Sequence, residues 1–83
     1  MSFAAALRAL PEGTFTGHAH GRRYVVTRQV LDGGRTVKLV AEELGGADYI
    51  SLNWFDLASG PRLKPCEMPA EKVVAFVTEL VPE

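Results

Sequence analysis

Apolar and polar residues alternate along the middle of the chain in four runs rich in β-branched and aromatic residues. This alternation predicts β-strands with one buried face, since successive strand side chains point to opposite sides. Glycine pairs and a His–Gly pair separate the runs and favour tight hairpins. The four runs are Thr14–Ala19, Arg22–Leu31, Thr36–Leu44 and Asp48–Leu57. We therefore predict a four-stranded antiparallel meander with the strand order 1-2-3-4.

The three turns give this meander a register. A two-residue loop at Gly33–Gly34 places Val30 opposite Val37, and the next glycine pair places Val37 opposite Trp54. With a third turn at His20–Gly21, nine apolar residues fall on one face. A shift of the pairing register by one residue would move all the apolar side chains of a strand to the other face. The nine residues are Phe15, Tyr24, Val26, Val30, Val37, Leu39, Ile50, Leu52 and Trp54.

Apolar residues at helical spacing mark both ends of the chain. The first stripe runs from Phe3 to Leu10 with Ser2 as N-cap, and the second runs from Val73 to Leu80. Both stripes need burial, and the apolar sheet face is the only partner large enough. The sequence therefore predicts an α+β fold in two layers, with the order α-β-β-β-β-α and both helices on one face.

The segment "ASGPRLKP", between the last run and the second helix, is typical of a loop, with a short edge strand around Arg62–Lys64 as an alternative.

At 83 residues the chain fits a single domain, 1–83. One cysteine excludes an internal disulfide, and the N-terminal segment is too short and interrupted for a signal peptide or a membrane span. We therefore expect a cytoplasmic protein that has no membrane partner. We also expect no cofactor.

The sheet face opposite the predicted core is mixed in character, since Val25, Val40, Tyr49 and Phe55 lie among polar residues. Two interpretations stay open: a solvated face, or a contact surface for a second copy or a ligand. Self-association would help stabilise so small a chain. We favour a homodimeric binding module without enzymatic activity. The formal net charge of −1 makes nucleic acid a less favoured partner.

Arg28 is the anomalous residue of the predicted core face, where it lies between Val26 and Val30. Burial of an unpaired guanidinium is costly. We expect its stem to pack in the core and its head to pass the sheet edge towards Glu12 or Glu79. An anion-binding role is the alternative, because a guanidinium matches carboxylate and phosphate geometry.

Histidine and cysteine supply the other candidate chemistry. His18 and His20 form an H-x-H pair, but a metal site needs at least one more ligand, so we expect no metal site. Cys66 precedes the second helix, whose dipole would favour the thiolate together with Lys64, whereas Glu67 would disfavour it. We interpret Cys66 as a structural thiol, with a catalytic nucleophile as the alternative.

The segments "GGRTVKL", "AEELGGADYIS" and "LKPCEMP" resemble a family of short, uncharacterised bacterial proteins, some of which are labelled peptide methionine sulfoxide reductase. The resemblance covers the chain from about Pro11 onward. It implies that Cys66 would attack the sulfoxide sulfur and form a sulfenic acid, which an external thiol would resolve. The G-C-F-W-G motif of one reductase class and the paired zinc cysteines of the other do not occur.

Four antiparallel strands followed by a helix, with "YISLN" on the last strand, are also similar to the positive-cofactor-4 type of single-stranded DNA-binding fold. That likeness implies dimers that bind single strands through basic and aromatic sheet residues. The matching candidates are Arg23, Lys38, Tyr49 and Phe55. The chain departs from that pattern in its N-terminal helix, its long connection before the last helix and its lack of net positive charge.

Overall fold

Two helices and one antiparallel sheet make up the fold, in a computed structural model that describes residues 2–83. The predicted α+β class is confirmed. In chain order the elements are α1 (Phe3–Ala9), β1 (Gly13–Ala19), β2 (Arg22–Leu31), a short 3-10 turn (Asp32–Gly34), β3 (Thr36–Glu43), β4 (Tyr49–Leu57), β5 (Gly60–Pro65), α2 (Ala70–Glu79) and β6 (Val81–Pro82). The strands lie in the order β5-β4-β3-β2-β1-β6.

The predicted register of strands β1 to β4 is confirmed. Val37 lies opposite both Val30 on β2 and Trp54 on β4. His20 and Gly21 form a two-residue turn with φ angles of 54° and 74°, the positive values that a type I′ hairpin needs. In the other two hairpins the last paired residues are Leu31 with Thr36 and Glu42 with Tyr49, so each connection is longer than two glycines. Both remain centred on their glycine pairs, so the register does not change.

Both helices bury their apolar stripes against the same sheet face, as predicted. Leu7 of α1 and Phe76 of α2 belong to one core cluster with the sheet residues, and each such buried side chain contributes about 1.5–3 kcal/mol to folding. Seven of the nine predicted face residues are buried, and Phe15 and Val30 are half-buried. Within residues 2–83, neither helix has the length and apolar character needed to cross a membrane.

The prediction of a four-stranded sheet is wrong, because a fifth and a sixth strand extend it at both edges. Strand β5 replaces most of the expected loop and pairs with β4 from Leu52–Pro65 to Leu57–Gly60. The alternative edge strand around Arg62–Lys64 lies inside it. Pro61 and Pro65 weaken the sequence signal for a strand, because proline has no N–H to donate to the hydrogen-bond ladder of a sheet. An edge strand tolerates proline on its unpaired side.

The two-residue strand β6 pairs with Gly17 and His18 at the other edge of the sheet. Gly17 permits this close approach. A Cβ atom at this position would lie 3.0 Å from Cδ1 of Leu80 and 3.0 Å from the carbonyl oxygen of Val81. Pro82 ends the helical pattern as expected, but a strand of two residues is too short for its periodicity to reveal it.

Arg28 lies on the core face as predicted and is only 6% exposed, but its head does not take the expected path. Its Nη2 donates a hydrogen bond to the carbonyl oxygen of Arg8, near the C-terminal end of α1, at 3.3 Å. Among residues 2–83 it forms no ion pair with Glu12 or Glu79, and its buried Nε has no hydrogen-bond partner. The cation therefore meets the negative end of a helix instead of an acid.

Substitution of Gly17 by alanine tests the packing of β6 on β1. The new Cβ would press on a backbone carbonyl that cannot move without unpairing β6, and overpacking of this kind costs about 1–3 kcal/mol. We expect a lower urea midpoint for Gly17→Ala. The exposed control Ser59→Ala should change the free energy of unfolding by less than about 0.5 kcal/mol. Equal midpoints for both variants would contradict this packing.

Candidate functional site

The sheet face opposite α1 and α2, called the open face below, is not covered by any element of residues 2–83. Antiparallel pairing sets which of its side chains are neighbours. Lys38 on β3 lies opposite Asn53 on β4, and Asn53 lies opposite Lys64 on β5. Phe55 on β4 lies opposite Arg62 on β5. These five residues, called the basic patch below, form one cluster across three adjacent strands.

The three cations of the basic patch have no acidic partner in the described part of the chain, since none of its six ion pairs includes Lys38, Arg62 or Lys64. All three side chains are exposed. The chain has ten Asp and Glu residues against nine Lys and Arg residues. The three cations therefore lack ion-pair partners because of where the acids lie in the fold, and not because the chain has too few of them. Like charges close together on one face repel one another, and only Asn53 lies between Lys38 and Lys64. The patch therefore suits an external anion.

Sequence reasoning identified Lys38 and Phe55 but missed Arg62 and Lys64. The signal for them was present in the segment R-L-K, where two cations flank Leu63. On a strand this spacing puts both cations on one face and the leucine on the other. The prolines on either side, Pro61 and Pro65, favour a loop and mask this alternation.

The other predicted binding residues do not join the basic patch. Tyr49 lies opposite Glu42, at the far end of β4. The residue is 44% exposed, and its ring centroid lies 5.8 Å from Nζ of Lys72. Arg28 lies in the core, on the other side of the sheet. Arg23 is on the open face, but a carboxylate already holds it. The predicted set is thus divided among four places.

A cluster around the Glu83 carboxylate, near the β6 edge of the sheet, holds Arg23. Its Nε and Nη2 donate hydrogen bonds to Oε2 and Oε1 of Glu83 at 2.8 and 2.9 Å. Thr16 donates to Oε1 at 2.7 Å, and Nε2 of His18 lies 2.6 Å from Oε2. The hydrogen bonds from Arg23 and then from Thr16 lower the pKa of Glu83 from 4.5 to about 2. Sequence reasoning gave no role to Glu83, because its partners lie on β1 and β2.

A second polar network connects the β3–β4 turn to α2. The Tyr24 hydroxyl donates to Oδ2 of Asp48 at 2.7 Å, and Nζ of Lys72 donates to Oδ1 at 2.7 Å. The bond from Lys72, and then that from Tyr24, lowers the pKa of the Asp48 carboxyl. Burial, and then the bond to Asp48, raises the pKa of the Tyr24 phenol. The Tyr24 ring packs edge-on against Phe76, with centroids 4.8 Å apart, so this network holds the helix to the sheet.

Cys66 is half-buried and belongs to the open face, where it continues β5. Its backbone N–H donates to the carbonyl oxygen of Ser51 at 3.0 Å, and the Asn53 amide lies 3.7 Å from Sγ. His18 lies across the sheet on β1. The structural role of Cys66 and the chemistry implied by the reductase resemblance both stay predictions.

The two histidines do not share a strand. His18 lies on β1 beside Glu83, whereas His20 occupies the turn that follows, with a φ angle of 54°. Within residues 2–83, no group of three or more His, Cys, Asp or Glu side chains converges to hold a metal ion.

A groove of about 370 Å³ opens at the end of the sheet, next to the basic patch. It lies between the β2–β3 turn and the β4–β5 hairpin and is called the end groove below. Arg35 and Asp32 stand on one side of it, and Phe55 belongs both to the groove and to the patch. The lining residues are Asp32, Arg35, Thr36, Phe55, Asp56, Leu57 and Ala58.

Comparisons with protein-family models, with curated proteins and with solved structures give no match to this chain. Any functional conclusion therefore depends on the open face itself.

The Glu83 cluster predicts a specific pH dependence of stability. Because folding lowers the pKa of Glu83, its contribution is present at neutral pH and is lost as the pH falls from about 4.5 towards 2. We expect Glu83→Gln to lower the melting temperature at pH 7, and the difference from the parent chain to shrink as the pH approaches 2.

Glu79→Gln is the matched control, since Glu79 is an exposed acid without an ion pair in the described residues. Its melting curve should follow the parent chain at every pH. A Glu83→Gln difference that stays constant down to pH 2 would contradict the account.

Proposed function

We propose that this chain is a non-enzymatic binding module whose open face binds single-stranded nucleic acid. The observation that carries the proposal is the basic patch, in which unpaired Arg62 lies opposite Phe55 and unpaired Lys38 and Lys64 lie on either side of Asn53. We also propose a cytoplasmic location, since the single thiol of Cys66 suits a reducing compartment. No cofactor takes part in this function.

The patch combines the two contacts that single-strand binding requires. Lys38, Arg62 and Lys64 would neutralise phosphates, and the half-buried ring of Phe55 would stack against a base. Same-side residues on a strand are about 6.6 Å apart and neighbouring strands about 4.8 Å apart. The three cations therefore span roughly 10 Å, which fits a short length of backbone better than one small anion.

The overall charge of −1 is compatible with this proposal because none of the acids belongs to the basic patch, and Glu42, the exposed acid of β3, lies opposite Tyr49 towards the far end of the open face. Glu71 and Glu79 are exposed on α2, which packs on the other face of the sheet. The basic patch is thus a local positive area on a chain whose other charges lie outside it. Local potential, rather than net charge, governs how a strand approaches.

The sheet edges support binding on the face rather than strand addition. Pro61 and Pro65 lie on β5, and Pro82 lies on β6. Each proline removes a backbone donor from an outer strand, and proline on an edge discourages pairing with another chain. An extended partner would therefore meet the side chains of the open face.

Fluorescence anisotropy with a labelled oligothymidylate of about 12 nucleotides tests the proposal. We expect saturable binding at about 50 mM salt that weakens at least tenfold by about 200 mM. Lys38→Gln, Arg62→Gln and Lys64→Gln should each weaken binding several-fold, and the triple variant should lose it. Arg22→Gln is the matched control, since it removes one cation from outside the patch and should retain nearly all of the affinity.

Two results would contradict the proposal. One is the absence of an anisotropy change at low salt while the chain is folded by circular dichroism. The other is an equal loss for Arg22→Gln and the patch variants, which would show that only net charge matters.

A second candidate function, self-association, is favoured by the apolar half of the same face. Val25 and Val40 are half-buried there, and Leu44 is 43% exposed. A second copy that covers these residues would leave the basic patch at the rim of the contact. The resulting homodimer would present two patches to one strand.

Light scattering tests this second candidate. We expect the parent chain to have the mass of a dimer at high concentration and Val40→Glu to have the mass of a monomer, since a charge in an apolar contact lacks a partner. Glu42→Gln, on the same strand, should remain a dimer. A parent chain that is monomeric at its highest soluble concentration would exclude the homodimer.

A further inference from the structure

The end groove continues the basic patch, because Phe55 belongs to both. Thr36, which also lines the groove, lies opposite Phe55, and Arg62 flanks Phe55 on the other side. A strand that crosses the patch along this row would therefore reach the groove within one nucleotide. The groove has the volume of a small-ligand site, for which about 300–1,000 Å³ is typical.

The polar side chains of the groove are held only weakly, since the hydrogen bond from Nε of Arg35 to the carbonyl oxygen of Asp32 is 3.5 Å long. Nη2 of Arg35 lies 3.7 Å from Oδ1 of Asp32, and the two side chains are 70% and 64% exposed. An exposed pair with this separation contributes little to stability, so either side chain can turn to another partner. Asp56 adds a second carboxylate residue to the lining, and its N–H donates to the Arg35 carbonyl oxygen at 2.8 Å. That bond joins the two sides of the groove.

We propose that the end groove binds one guanine base of the single strand, an inference that rests on the proposed function. Guanine presents acceptors at O6 and N7, which an arginine fork contacts in bidentate fashion, and donors on its other edge, which a carboxylate accepts. Arg35 takes the first edge and Asp32 the second, while Phe55 stacks on the ring. Thymine has no exocyclic amine, and adenine has no O6.

Anisotropy with three oligonucleotides of equal length tests the inference. One is all thymidine, one carries a single central dG and one a single central dA. We expect the dG strand to bind the parent chain about tenfold more tightly than the other two, the effect of one good bidentate contact. Asp32→Asn and Arg35→Gln should each remove the preference for dG. Ser59→Ala, in the adjacent hairpin, should retain it.

The ratio of affinities within each variant is the readout, because both substitutions also change the net charge. Equal affinities of the parent chain for the three strands would overturn the guanine inference and leave the proposed function standing. Failure of all three strands to bind would overturn the proposed function. In that case the binding of guanine in the groove is tested separately. Guanosine monophosphate is added while the amide NMR signals of Asp32, Arg35 and Phe55 are followed, and uridine monophosphate is the control. Equal responses to the two nucleotides would overturn it.

Discussion

The register of the central sheet is the constraint on which the rest of the structure depends. Val37 faces Val30 on one neighbouring strand and Trp54 on the other, and this pairing determines which face every side chain occupies. A shift by one residue would expose the apolar set and bury the polar one. The same pairing that brings Tyr24 and Leu39 under the helices therefore brings Lys38 beside Asn53 on the other side.

Two polar features connect elements on the helix side of the sheet, and one of them lies partly exposed at the rim of the core. The Tyr24–Asp48–Lys72 network holds the β3–β4 turn to α2 through two short hydrogen bonds. The Arg28 guanidinium lies beneath α1 and bonds the carbonyl oxygen of Arg8 near the end of that helix. Both features lie on the helix side of the sheet. The contacts that hold the helices to the sheet therefore do not involve the charged residues of the basic patch.

The central fold was predictable because alternation and turn chemistry are local properties that agreed with each other. Strand β5 was only partly predictable, since Pro61 and Pro65 lower strand propensity and pairing with β4 overrides that preference. Strand β6 depends on the close approach that Gly17 permits, which no local pattern records. The path of the Arg28 head depends on where α1 ends in space, and sequence spacing does not give that position.

The candidate site was predictable in kind but not in composition. Lys38 and Phe55 followed from alternation on the open face. Arg62 and Lys64 required β5, and the loss of Arg23 from the set required knowledge of where Glu83 lies. Charge pairing is a property of the folded surface, so a sequence identifies cations but not which of them remain free.

NMR mapping of amide shifts during addition of a single-stranded oligonucleotide tests the central claim most directly. We predict that shifted signals gather at Lys38, Asn53, Phe55, Arg62 and Lys64, while those of α1 and of the exposed side of α2 remain in place. Shifts that gather on the helices, or an absence of shifts at low salt, would contradict the claim that the register builds an anion-binding surface on the open face.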